Sequence, residues 1–161
     1  MFLVRRFAAS APAKVAVAHL DNKTRLTLTV GAEFARTTRA FTQKEVADFC
    51  SLCGDNNPLH TDPAFALKTR FGRCIVPGML VGSIFSGLLG SVVPGTIYVS
   101  QSLKWLRPVF MDEVTTAVVT IRQIDRKFVT LDTSVKIARN GVDEEAVEGE
   151  AVVYIPSIGI E

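Results

Sequence analysis

No run of apolar residues in this 161-residue chain is long enough and clean enough to cross a bilayer. The best candidate, Ile75 to Val93, is broken by glycines, serines and Pro77 and reads as a buried helix instead. An excess of charge of one sign is also lacking. Lys and Arg number 18 against 16 Asp and Glu, a formal net charge of +2, so there is no electrostatic footprint for nucleic acid. Cysteine is scarce. Three thiols, Cys50, Cys53 and Cys74, argue against a disulfide scaffold and suit a reducing compartment. Cys50 and Cys53 match Cys-x-x-Cys, but no second ligand pair and no thioredoxin-like setting accompany them. Both are therefore read as filling a helix–core contact, and neither a metal nor a cofactor is expected. Histidine is scarcer still. His19 has no apparent partner and is read as uninvolved, which leaves His60.

What is present is ordinary globular composition, 48% hydrophobic and 21% charged. The length suits one domain with a real core. There are no internal repeats. The first twenty residues differ from the rest: Arg5, Arg6 and Lys14 occur with abundant alanine, and no acid precedes Asp21. That composition reads as a mitochondrial targeting leader over residues 1–20, with one domain over 21–161. A frayed, untargeted N-terminus has the same look.

The segment Gly54–Asp62 concentrates chemistry. Asp55 and His60 lie five positions apart around Asn56-Asn57-Pro58. Pro58 removes a backbone donor and disfavours helical geometry at Asn57, so the reading is a turn that swings Asp55 and His60 toward one point. A carboxylate and an imidazole converging on one water shuttle protons near neutral pH. The same string is also ordinary turn chemistry.

Around it the elements are legible. Arg25–Val30 alternates apolar and polar residues as a strand does, and Phe34–Phe41 is a second extended stretch. Thr42-Gln43-Lys44-Glu45 has capping-box spacing and predicts a helix from Gln43 to about Cys53. Asp62 is expected to cap a short helix opened by Pro63. Gly78 to Leu89 is apolar all round, which predicts a helix surrounded by protein, with Gly82, Ser83, Ser86 and Gly87 letting a sheet come close. Ile97–Leu106, Val114–Ile124, Phe128–Ala138 and Glu145–Ile155 predict antiparallel strands, with Asn140-Gly141 as a hairpin turn. The fold class is α+β: a sheet curled around a central apolar helix.

Three blocks carry a resemblance. They are Gly54-Asp55-Asn56-Asn57-Pro58-Leu59-His60-Thr61-Asp62-Pro63-Ala64-Phe65-Ala66; Ile75–Leu80 followed by Ser83–Gly90; and Tyr98–Leu103 followed by Arg107–Val114. Over about Phe34 to Pro156 the chain resembles the MaoC-like, type 2 (R)-specific enoyl-thioester hydratases. The resemblance implies a single hotdog fold and a homodimer. It implies Asp55 and His60 as catalytic residues, with the Gly78 amide as oxyanion donor. Ser86 matches a pocket hydroxyl and Asn57 a position that supports the turn; Ser86 is equally a small packing residue. Many relatives carry histidine where this chain has Pro77. The implied reaction interconverts (3R)-hydroxyacyl and trans-2-enoyl thioesters. With the leader, the implied substrate is carried on acyl carrier protein, in fatty-acid synthesis of the mitochondrial matrix. Coenzyme A as carrier, or a non-catalytic acyl-binding subunit, are the alternatives. Lys68, Arg70, Arg73, Lys104 and Arg107 are the basic residues expected to meet an acidic carrier.

Overall fold

The structure, a computed structural model, describes residues 28–158. The leader, His19 and the first half of the Arg25–Val30 stretch lie outside the described residues. The described half, Leu28–Val30, is coil entering a turn rather than strand. The elements run β1 (Glu33–Arg39), α1 (Gln43–Cys53), α2 (Pro58–Thr61), α3 (Pro63–Ala66), α4 (Gly78–Val92), β2 (Ile97–Trp105), β3 (Thr115–Asp125), β4 (Phe128–Arg139) and β5 (Val142–Tyr154). The strands form one antiparallel sheet in the order β1-β3-β4-β5-β2.

Local chemistry sets the boundaries. The Thr42 hydroxyl accepts the Glu45 N–H at 3.2 Å, and the Glu45 carboxylate accepts the Thr42 N–H at 2.8 Å, which closes the capping box of α1. Gly54 ends that helix at φ 74°, a left-handed conformation that glycine adopts without penalty. The β4–β5 hairpin turns at Asn140 and Gly141, both at positive φ, as a type I′ turn requires.

The strands alternate, and one face is the core. Ala117, Val119 and Ile121 of β3, Val129, Leu131, Val135 and Ile137 of β4, and Val147, Ala151 and Val153 of β5 are buried. They cluster with Val81, Ile84, Phe85, Leu88 and Leu89 of α4. Each valine, leucine, isoleucine or phenylalanine among them, fully buried, contributes about 1.5–3 kcal/mol. The opposite face carries ion pairs such as Arg122 with Asp132 and Glu150, which are exposed and contribute little.

The expectation of a helix covered on all sides needs correction. The sheet covers one side of α4. Met79, Ser83, Ser86, Gly87 and Gly90 are exposed on the other. Of the small residues expected to admit a strand, Gly82 does so: a Cβ there would stand 2.6 Å from Leu103 Cδ1, whereas one at Gly87 would meet nothing within 4 Å. A single layer of sheet cannot enclose a cylinder, and β2, at the sheet edge, is where coverage stops.

That edge strand is stitched inward. Gly149 pairs with Leu103 on one side and Thr133 on the other. Gln101 reaches past it, donating to the buried Thr133 hydroxyl at 3.0 Å and accepting from the Tyr98 hydroxyl at 2.6 Å. A Cβ at Gly149 would lie 2.0 Å from the Ser102 carbonyl oxygen, a backbone atom that cannot step aside alone. Gly149→Ala should therefore lower stability by about 1–3 kcal/mol in urea unfolding. A variant as stable as the parent would show that β2 is not held this closely.

Candidate active site

Asp55 follows the left-handed Gly54 directly, so the chain leaves α1 abruptly and the carboxylate is not part of a helix. Its Oδ1 accepts the Asn57 N–H at 3.0 Å. The Asn57 side chain in turn accepts the Leu59 N–H at 3.1 Å and caps α2. Pro58 stands at the first position of that helix, where its missing N–H costs nothing. The stretch expected to be an irregular turn is thus a turn plus one helical turn, because proline forbids helix before itself rather than after. Asn57 thus ties the Asp55 carboxylate to the start of α2. Asp62 ends α2 and caps α3, accepting the Ala64 N–H at 2.8 Å.

His60 is carried on α2 and buried. Its Nδ1 lies 2.8 Å from the carbonyl oxygen of Ile75. A carbonyl only accepts, so Nδ1 carries the proton and Nε2 of the neutral ring is an acceptor. Nε2 lies 3.6 Å from Asp55 Oδ2, too far for a direct hydrogen bond. Two acceptors at that separation suit a single water donating one O–H to each. Sequence and structure agree that Asp55 and His60 meet.

Gly78 opens α4, whose first turn has no side-chain cap, so its leading N–H groups lack helical partners. Beside it is a cavity of about 450 Å³ lined by apolar side chains including Ile75, Val81, Trp105 and Val109, with Arg70 and Arg107 at its border. Ile75 belongs to both places: its carbonyl holds His60, and the residue lines the cavity. The cavity itself does not include Asp55 or His60; it adjoins them through residue 75. Ser86 is elsewhere, on the exposed flank of α4 two turns from Gly78, and is not among the residues lining this cavity.

Two contributors escaped the sequence reading. Ile75 acts through its carbonyl, which no side-chain motif announces. Trp105, the single tryptophan of the chain, lies against Gly78, where a Cβ would stand 2.6 Å from its indole Nε1. Its rarity was a usable signal.

The family-level comparison fits this geometry. Residues 22–146 match the MaoC like domain model. The chain belongs to the MaoC-like family. It is 49% identical over 126 residues to the (R)-specific enoyl-CoA hydratase of Aeromonas caviae, covering 76% of this chain and 92% of that one. It is 39% identical over 126 residues to the mitochondrial 3-hydroxyacyl-[acyl-carrier-protein] dehydratase FERN of Solanum lycopersicum, covering 76% and 75%. The solved (R)-hydratase from A. caviae involved in PHA biosynthesis superposes with a TM-score of 0.75 at 44% identity, over 81% of this chain and 98% of that one. The hotdog architecture and the hydro-lyase class follow from these likenesses.

The thiols take no part in the site. Among the described residues no group of His, Cys, Asp and Glu is arranged to hold a metal. Cys50 and Cys74 are buried, and burial, with Asp55 near the first and Asp62 near the second, pushes both thiols up from their usual range. Cys53, expected to share the core contact of Cys50, is instead exposed: it is the last residue of α1, where the helix stops at Gly54 and the buried face ends with Cys50. In the folded protein one thiol per chain should react rapidly with an aromatic disulfide reagent at neutral pH. Cys53→Ser should remove that phase, and unfolding should release the other two. Rapid reaction of two or more thiols in the native state would contradict this arrangement.

Proposed function

We propose that this MaoC-like chain interconverts (3R)-hydroxyacyl and trans-2-enoyl thioesters, with Asp55 and His60 as its proton-transfer residues. The observation that carries the reading is the 2.8 Å contact between His60 Nδ1 and the Ile75 carbonyl: with Nδ1–H given there, the Nε2 lone pair and the Asp55 carboxylate present two acceptors to one water. In hydration, the water oxygen bonds to C3 as one of its protons leaves to the pair. The C2=C3 π pair shifts to C1–C2 and charge gathers on the carbonyl oxygen as an enolate. The pair of residues then delivers a proton to C2, the C1–C2 π electrons become the new C2–H bond, and the oxygen re-forms the thioester carbonyl. Dehydration runs the same steps backward. The Gly78 N–H at the α4 N-terminus is suited to hold the enolate oxygen, and glycine lets the thioester approach closely. Asn57 keeps the Asp55 carboxylate aimed. Ser86, on the uncovered flank of α4, enters this reading only if a second copy closes the site. The exposed edge strand β2, bearing Ile97, Val99 and Trp105, suits that copy, so the working form is a homodimer.

Asp55→Asn and His60→Gln should each lower kcat by about 10²–10⁴-fold with melting unchanged. A loss of only a few-fold in a well-folded variant would remove the pair from the mechanism.

For the carrier, we favour acyl carrier protein in the mitochondrion, supported by the leader composition and by the name of the Solanum relative. Coenzyme A is the second reading, favoured by the name of the Aeromonas relative. The basic set expected from sequence divides. Lys104 pairs with Glu148 at 3.0 Å and Arg107 with Glu144 at 2.7 Å. Lys68 and Arg70 are exposed, Arg70 where it meets the cavity, and neither has an ion pair among the described residues. Reversing Lys68 and Arg70 together to glutamate should raise KM for an enoyl-acyl carrier protein more than for enoyl-coenzyme A. Equal effects, or a larger one on coenzyme A, would transfer the assignment to the second reading.

A further inference from the structure

The Ile75 carbonyl is itself held by a device outside the site. Residues 75 and 76 lie in no regular element. They are fixed by short contacts to a second irregular segment, Pro108–Glu113. Ile75 bridges Phe110, the Val76 N–H donates to the Val109 carbonyl at 2.8 Å, and the Ile75 N–H reaches the Leu59 carbonyl at 3.3 Å. The 108–113 segment is in turn clamped from the end of β4. Arg139 donates through Nε and Nη2 to the two oxygens of Glu113, at 2.6 and 2.9 Å, and through Nη2 to the Pro108 carbonyl at 2.7 Å. The Glu113 carboxylate also accepts the Phe110 N–H at 3.0 Å. The guanidinium carbons of Arg73 and Arg139 lie 3.8 and 4.9 Å from the centroid of the Phe110 ring. Glu113 is only 11% exposed and Arg139 25%, so this is a largely desolvated, forked ion pair rather than a surface one.

We propose that Glu113, Arg139 and Phe110 are positioning residues for His60. The ion pair fixes the Pro108–Glu113 segment, the segment fixes Ile75, and the Ile75 carbonyl fixes which imidazole nitrogen carries the proton. The inference rests on the proton-transfer role given to His60 above. Burial alone would raise the Glu113 carboxyl, yet the bonds from Arg139 and the Phe110 amide, with the charges of Arg139 and Arg73, hold it below the usual carboxylate range. The pair therefore stays ionised at neutral pH. Its purpose is not explained by stability: an ion pair this buried recovers little more than its desolvation cost. What it supplies is geometry, because a guanidinium fork fixes two directions at once. A loosened segment would let the Ile75 carbonyl turn away, and a ring free of that acceptor reverts toward the Nε2–H form that an unconstrained histidine side chain favours. In the Nε2–H tautomer, His60 would confront the shared water with a donor where an acceptor is required.

The test uses the full-length chain in a His19→Gln background, so that His60 supplies the one histidine imidazole signal. Glu113→Gln combined with Arg139→Met removes both charges together and leaves neither buried alone. Phe110→Leu keeps an apolar side chain but removes the ring under both guanidiniums, and it reads the same device should the double variant not fold. Nitrogen-15 spectra of the imidazole at pH 8, without substrate, report the tautomer; steady-state rates on a trans-2-enoyl thioester report kcat and KM. The parent should show the Nδ1–H form. In the double variant the signals should move toward Nε2–H, and kcat should fall 10-fold or more while KM stays within about twofold; Phe110→Leu should shift both readouts in the same direction by less. An imidazole signal unchanged in folded variants overturns the proposal, whatever happens to the rate, since a merely structural role would lower activity without moving the proton. A parent in the Nε2–H form overturns it as well. Should His60→Gln leave turnover intact while the spectra shift as stated, the positioning device stands and the catalytic role of His60 falls.

Discussion

The hydrogen bond from His60 Nδ1 to the Ile75 carbonyl is the constraint on which the site depends. It joins a helical turn to an irregular segment fifteen residues later, and it decides the chemical character of the imidazole. Without it, the ring 3.6 Å from Asp55 could present either nitrogen form, and only one of them pairs with a carboxylate to bind a single water from two sides. The requirement is severe because His60 is buried, so a ring nitrogen that loses its partner is costly to leave unpaired.

That hydrogen bond draws on structure well removed from it. The sheet contributes Arg139, at the end of β4, and through it a clamp on the segment that fixes Ile75. The core contributes α4, whose first turn brings free N–H groups to the cavity shared with Ile75. The position of α4 follows from its apolar flank packing on one sheet face, with Leu103 seated against Gly82. Its other flank carries Met79 and then the small residues Ser83, Ser86, Gly87 and Gly90, and is left open. An exposed flank beside an exposed edge strand is a surface to which a second subunit is suited.

Charge is arranged by the same logic. Basic residues that look alike in sequence are separated by their neighbours. Lys104 and Arg107 face glutamates across the β2–β5 pairing and the segment that follows it, Arg73 lies over the Phe110 ring, and Lys68 and Arg70 have no carboxylate partner among the described residues. A linear reading counts five cations as one patch. Only cross-strand pairing shows that they have different work.

Some features needed nothing beyond the order of residues. Thr42 and Glu45 close a capping box three positions apart, Asn140-Gly141 turns a hairpin, and Asp62 caps a helix opened by Pro63. These are interactions within a few bonds, so sequence spacing fixes their geometry. The five-residue separation of Asp55 and His60 is of the same kind, and the candidate pair was therefore legible from the start. The acceptor that sets the tautomer was not, since a backbone carbonyl has the same chemistry at every position and only folding selects Ile75. The outward place of Cys53 and the open flank of α4 were hidden for a related reason: composition says which residues are apolar, and packing decides which of their faces are covered. The Glu113–Arg139 clamp spans 26 positions and closes only once β4 lies beside the Pro108–Glu113 segment, so no local pattern encodes it; the tertiary structure alone decides it.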